Sequence, residues 1–96
     1  FKELFSSLPK NVVDMGAIRH ICNGADIMAP GVVRIDGEFK KDDFLLIVDE
    51  RHGKPLAIGQ ALYNSETAKL TEQGKIVKNI HYVGDKVWNL IRSIAY

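Results

Sequence analysis

Gly24-Ala25-Asp26-Ile27-Met28-Ala29-Pro30-Gly31-Val32 decides how this chain is read. Gly24 tolerates a left-handed backbone and stands where a helix would stop. Pro30 fixes its own φ and removes one N–H from any ladder, and Gly31 completes a bend. Upstream, Asp14 is a good N-cap for a helix running to about Asn23, with Met15, Ile18, Ile21 and Cys22 as its buried stripe. Arg19, His20 and Asn23 fall on or near the other side. Downstream, Ile27 to Ile35 predicts a strand.

Outward from this segment, Asn11-Val12-Val13 is a brief β-branched strand candidate, and Asp36-Gly37 is a turn signal. Phe44 to Val48 is a continuous apolar run that predicts a strand buried on both faces. Arg51-His52-Gly53-Lys54 reads as a hairpin loop returning through Leu56 to Leu62. Ser65 is placed to cap a short helix to Gln73, with Ala68 and Leu70 turned inward and Gly74 ending it. Ile76 to Val83 is another strand. Gly84-Asp85 turns the chain into an alternating Val87 to Ile94. Phe1 to Leu8 has helical spacing closed by Pro9, and reads as a short N-terminal helix or the tail of a preceding domain over residues 1–10. Short strands separated by turns, with small helices, predict a compact mixed β-barrel over residues 11–96.

Composition narrows the function classes. The 96 residues are 46% hydrophobic and 26% charged, an ordinary globular balance for one domain. No apolar run approaches the ~20 residues a membrane helix needs, and no basic flank leads into an apolar leader. Cys22 is the single cysteine, which excludes an internal disulfide and is compatible with a reducing compartment. The net charge of +1 is not that of a protein that coats nucleic acid through bulk charge. Downstream of Pro55 the balance tilts basic, through Lys69, Lys75, Lys78, Lys86 and Arg92.

Enzyme chemistry finds no support in the pattern. His20 and Cys22, two residues apart on a helix, face different sides and cannot share a metal ion, and His52 and His81 lack ligand spacing. The serines have no nucleophile-elbow context, Cys22 sits on the buried face, and no two carboxylates are convincingly paired. No catalytic residue, metal or cofactor is expected. From the residues alone, Gly24 to Ile27 reads first as a helix cap plus a strand kink. The second reading has its backbone amides meeting a phosphate or a base edge, with Arg19 and Asn23 one turn back.

Val13-Asp14-Met15-Gly16-Ala17 followed by Gly24 to Val32 resembles the PUA domain of pseudouridine synthases and archaeosine transglycosylases. The likeness continues through Phe39 to Val48, Pro55-Leu56-Ala57-Ile58-Gly59, Lys75-Ile76-Val77 and Gly84-Asp85-Lys86-Val87-Trp88. One departure is Asp42-Asp43, where the family often has Gly-Asp; Asp accepts a left-handed turn at some cost. Asn79-Ile80-His81-Tyr82-Val83, with Trp88, resembles the malignant-T-cell-amplified-sequence group and its archaeal relatives.

The resemblance implies a PUA-like pseudobarrel, mixed β with short helices, that binds structured RNA without catalysis. The implied RNA is tRNA at its acceptor end or ribosomal RNA, in cytoplasmic translation. The implied partners include the ribosome or an initiation-factor-like protein, and no membrane. Carried over residue by residue, the RNA surface is Arg19, Asn23, Gly24, Ala25, Asp26, Ile27 and Met28, joined by Lys86 and Arg92 from the last strand and tail. Trp88 is expected in the core, and Tyr82 is left open between core and base stacking. Two alternatives stand beside this: an RNA-targeting domain appended to a tRNA-guanine transglycosylase or pseudouridine synthase, and a protein-docking module on the ribosome.

Overall fold

A computed structural model describes residues 7–82. The expectations for Phe1 to Ser6, for the Gly84-Asp85 turn and Val87 to Ile94 strand, and for Trp88, Lys86 and Arg92 lie outside the described residues. Among the described residues six strands form one sheet: β1 (Lys10–Val13), β2 (Ile27–Met28), β3 (Val32–Asp36), β4 (Phe44–Asp49), β5 (Pro55–Ala61) and β6 (Lys75–Tyr82). Their order is β2-β6-β5-β4-β1-β3. β1 runs parallel to β4 and antiparallel to β3, and the other pairs are antiparallel.

This order places β2 and β3, neighbours in the chain, at opposite edges of the sheet. Register shifts interrupt β1–β3, β2–β6, β4–β5 and β5–β6, and each such irregularity adds local twist and bend. The sheet therefore curls into the expected pseudobarrel. A 3₁₀ turn over Ala29–Gly31 joins its edges. The single strand expected from Ile27 to Ile35 is thus two strands on opposite edges. The cause is Pro30, which cannot donate to a ladder, together with bonds that seat the turn: Ala29 N–H to the Gly74 carbonyl (2.8 Å) and Asp14 N–H to the Gly31 carbonyl (2.9 Å).

The barrel interior is filled by Val13, Ile21, Ile27, Leu45, Ile47, Ile76 and Val77, each at most 2% exposed. A second cluster of Val12, Leu46 and Val48 lies on the outer face with Leu8 and Ile58. Alternation explains the split: in β4, Leu45 and Ile47 point inward while Leu46 and Val48 point outward, as expected for a strand buried on both faces. Phe44, at the strand's start, departs from that expectation and is 54% exposed.

Both helices are shorter than their patterns suggest. The first is a 3₁₀ turn over Met15–Ala17 continued by a single α-turn, α1 (Ile18–Ile21), capped by Asp14, whose carboxylate accepts from Ala17 N–H (2.9 Å). The second, α2 (Ser65–Leu70), is capped by Asn64 rather than Ser65: Asn64 Oδ1 accepts from Thr67 N–H. Ser65 is buried instead, and its hydroxyl accepts from Phe39 N–H. α2 ends before Gln73, and Leu70 is 82% exposed. Two residues on a helix are about 200° apart, so with Ala68 inward Leu70 faces solvent. Asp42 carries the left-handed backbone that Asp42-Asp43 anticipated, at φ 75°.

Gly59 marks a close approach between β5 and β6. A Cβ there would overlap the Val77 side chain across the β5–β6 pair. Gly59→Ala is expected to destabilise the domain by about 1–3 kcal/mol, the usual cost of overpacking, read as a lower urea midpoint with an unchanged m-value. An unchanged midpoint would refute the close packing described.

Candidate nucleic-acid interface

Helix α1 ends in a complete glycine cap. Gly24, at φ 93°, takes the left-handed conformation; its N–H donates to the Ile21 carbonyl (3.0 Å) and Ala25 N–H donates to the His20 carbonyl (3.0 Å). This is the paired bonding of a Schellman motif. It corrects one mechanistic expectation: the Gly24 and Ala25 amides are occupied by the helix and are not donors awaiting a ligand.

The loop after the cap is pinned to β6 by Asn79, more than fifty residues away in sequence. Its side-chain amide donates to the carbonyls of Ile21 (3.0 Å) and Ala25 (2.9 Å), and its backbone N–H donates to Asp26 Oδ1 (2.8 Å). Asp26 Oδ2 meets Lys75 Nζ at 2.7 Å. The Lys75 ammonium, then the Asn79 amide, hold the Asp26 carboxyl below the usual carboxylate range against partial burial, and the charge of Lys78 adds to this. Tyr82, open between core and stacking in the sequence, lies with its ring beneath Gly24, where a Cβ would sit 3.2 Å from it, and packs on the main core.

A cleft of about 300 Å³ opens between α1 and this loop. Val13, Ala17, Ile21, Ala25, Ile27, Met28 and Gly31 give it apolar walls, and His20 and Asp26 supply its polar groups. That volume lies at the lower end of small-ligand sites, roughly 300–1,000 Å³. Met28 is 48% exposed, whereas Ile27 on the inner wall is buried.

The structure thus gathers four expected site residues, Ala25, Asp26, Ile27 and Met28, around one cavity. Gly24 shapes its rim from outside. Arg19 and Asn23 are exposed on the helix and its last turn and do not line the cavity. The pattern missed His20, Lys75, Lys78 and Asn79. His20 lies three residues after Ala17, a spacing that puts the two on one helix face, although its polarity suggests the far side. Cys22 is half-buried against the core, which pushes its thiol pKa up, in keeping with an inert thiol.

Comparison with known proteins agrees with this architecture. The family described as "PUA domain" matches residues 9–83. The uncharacterized protein MJ1432 of Methanocaldococcus jannaschii is 53% identical over 91 residues, covering 92% of this chain and 56% of that protein. Translation machinery-associated protein 20 of Schizosaccharomyces pombe is 36% identical, covering 82% of this chain and 46% of its own. Malignant T-cell-amplified sequence 1 of Rattus norvegicus is 30% identical, covering 86% and 47%. A crystal structure of the hypothetical protein PH0734.1 from Pyrococcus horikoshii superposes with a TM-score of 0.79 at 49% identity, covering 84% of this chain and 48% of that one. The chain therefore spans about half the length of the relatives it matches.

The clamp on Asp26 makes an acid-range prediction. Its folded pKa is depressed, so its stabilisation is complete above the unfolded carboxyl range, about pH 4, and is lost as pH falls towards the lower folded value. Asp26→Asn is expected to be less stable than the parent at pH 7, with the gap closing below about pH 4. A gap that stays constant across a series of thermal melts would show that the ion pair contributes nothing.

Proposed function

The chain belongs to the PUA-domain family, and we propose that it is a non-catalytic module that recognises structured RNA in translation, with tRNA at its acceptor end or ribosomal RNA as its target. The observation that carries this reading is the apolar cleft walled by Ala25, Ile27 and Met28, beside Lys75 and Lys78. Apolar walls suit the face of an unstacked base, and cations at the margin suit the phosphates on either side of it. Arg19 and Asn23 extend the surface along α1, and Lys86 and Arg92 belong to the same proposed set. The printed name of the yeast relative places that protein with the translation machinery, and this supports the choice of RNA.

The charge balance refines the mode of recognition. With a net charge of +1, few phosphates are neutralised, so shape and stacking dominate and the salt dependence is shallow. The Asp26 carboxylate at the cleft, which would repel a phosphate, is held by Lys75 and the Asn79 N–H. It orients the loop, while Ala25 and Met28 offer the contact surface.

A titration with tRNA carrying or lacking its 3′-terminal CCA tests the acceptor-end reading. Tighter binding to intact tRNA by at least about tenfold, a difference of about 1.4 kcal/mol, is expected. Met28→Glu is expected to abolish that preference at an unchanged melting temperature. Equal, negligible binding of both tRNAs would refute the acceptor end as target, and a log–log salt slope steeper than about 6, implying many phosphate contacts, would refute shape-led recognition.

A further inference from the structure

We propose that the β4–β5 hairpin tip, Arg51-His52-Gly53-Lys54, is a second phosphate-binding platform, gripping the backbone of the same RNA beyond the cleft. The inference rests on the RNA-binding reading above. It stands on how the two acidic residues at the base of the hairpin are used. Asp49 is 4% exposed, and its carboxylate accepts from the backbone N–H groups of His52, Arg51 and Lys54. These bonds, led by that of His52, hold the Asp49 carboxyl below its ordinary range. Glu50 turns the other way, and its carboxylate accepts from Met15 N–H (3.0 Å). Both carboxylates are thus turned towards backbone amides and form no ion pair with the cations of the tip.

Arg51, His52 and Lys54 remain exposed, and among the described residues no ion pair occupies any of them. A loop held by three hydrogen bonds to one carboxylate presents its cations with little backbone entropy left to lose on binding.

The placement ties this tip to the cleft. Glu50 N–H donates to the Val13 carbonyl (2.9 Å), and Val13 is a cleft wall. Met15, held by Glu50, opens the 3₁₀ turn that ends at Ala17, another wall. The hairpin is therefore hydrogen-bonded to the β1-to-helix junction, two residues of which, Val13 and Ala17, line the cavity. From β6, Lys78 acts on the Asp26 carboxylate at the cleft through its charge, while Lys75 is paired with that carboxylate. An RNA strand seated in the cleft has cations on two separate elements, β6 and the β4–β5 hairpin, to receive its phosphates.

The test is a salt titration of an acceptor-end RNA, a short duplex with a 3′ CCA overhang, against the parent chain, Arg51→Ala/Lys54→Ala and Arg51→Lys/Lys54→Arg. Gly53 is left intact because its φ is 66°, and alanine keeps the N–H groups that Asp49 binds. Loss of two phosphate contacts lowers the log–log salt slope by about 1.4–1.8. The alanine pair is expected to show that fall and a weaker Kd by at least about fivefold near 50 mM salt, with the melting temperature unchanged, while the charge-retaining pair binds like the parent. If the parent binds and Met28→Glu does not, but the alanine pair matches the parent in Kd and slope, the platform is refuted and the cleft reading stands. If the parent itself fails to bind, both fall.

Discussion

Asn79 is the residue on which the site depends. Its side-chain amide donates to two carbonyls at the end of α1 and in the following loop, Ile21 and Ala25, while its backbone N–H takes one oxygen of Asp26. Carbonyls at a helix C-terminus have no partner within the helix, and a buried one left unpaired costs about 1–3 kcal/mol. One side chain on β6 thus gives the Ile21 carbonyl a second donor beside Gly24 N–H and supplies a donor to the Ala25 carbonyl in the loop. In doing so it ties the end of α1 and the loop that wall the cleft to the sheet.

The same economy of charge recurs at two places. Asp26 accepts from Asn79 N–H and pairs with Lys75, and Asp49 accepts from three backbone N–H groups. Their neighbours Lys78, Arg51 and Lys54 stay exposed. A chain whose net charge is only +1 can in this way keep a locally basic surface without the bulk charge of a nucleic-acid coat. Fold membership does not by itself specify a ligand; the apolar cleft and the cations near it are what favour RNA.

Much of the barrel was legible because its signals are local. Asp14 as a cap, Gly24 as a stop, the doubly buried β4 and the left-handed Asp42 each follow from a residue and its near neighbours. The errors share a different cause. Ile27 to Ile35 has strand composition throughout, and nothing in that composition reveals that Pro30 sits where the chain crosses from one sheet edge to the other. Ser65 and Asn64 are both good caps, and the choice between them was made by burial against Phe39, a tertiary contact. The candidate site was half legible: Ala25 to Met28 follow from the motif, whereas Asn79 and Lys75 act across a sequence separation of 49 or more, beyond any periodicity.

The central claim, that RNA enters the cleft beside the loop pinned by Asn79, is tested most directly by amide chemical-shift mapping with a single-stranded RNA ending in CCA. The account predicts that the largest shifts fall on Arg19 to Met28 and on Lys75 to Asn79. Shifts concentrated instead on the opposite loop, Lys40 to Asp43, with the cleft amides unmoved, would contradict it.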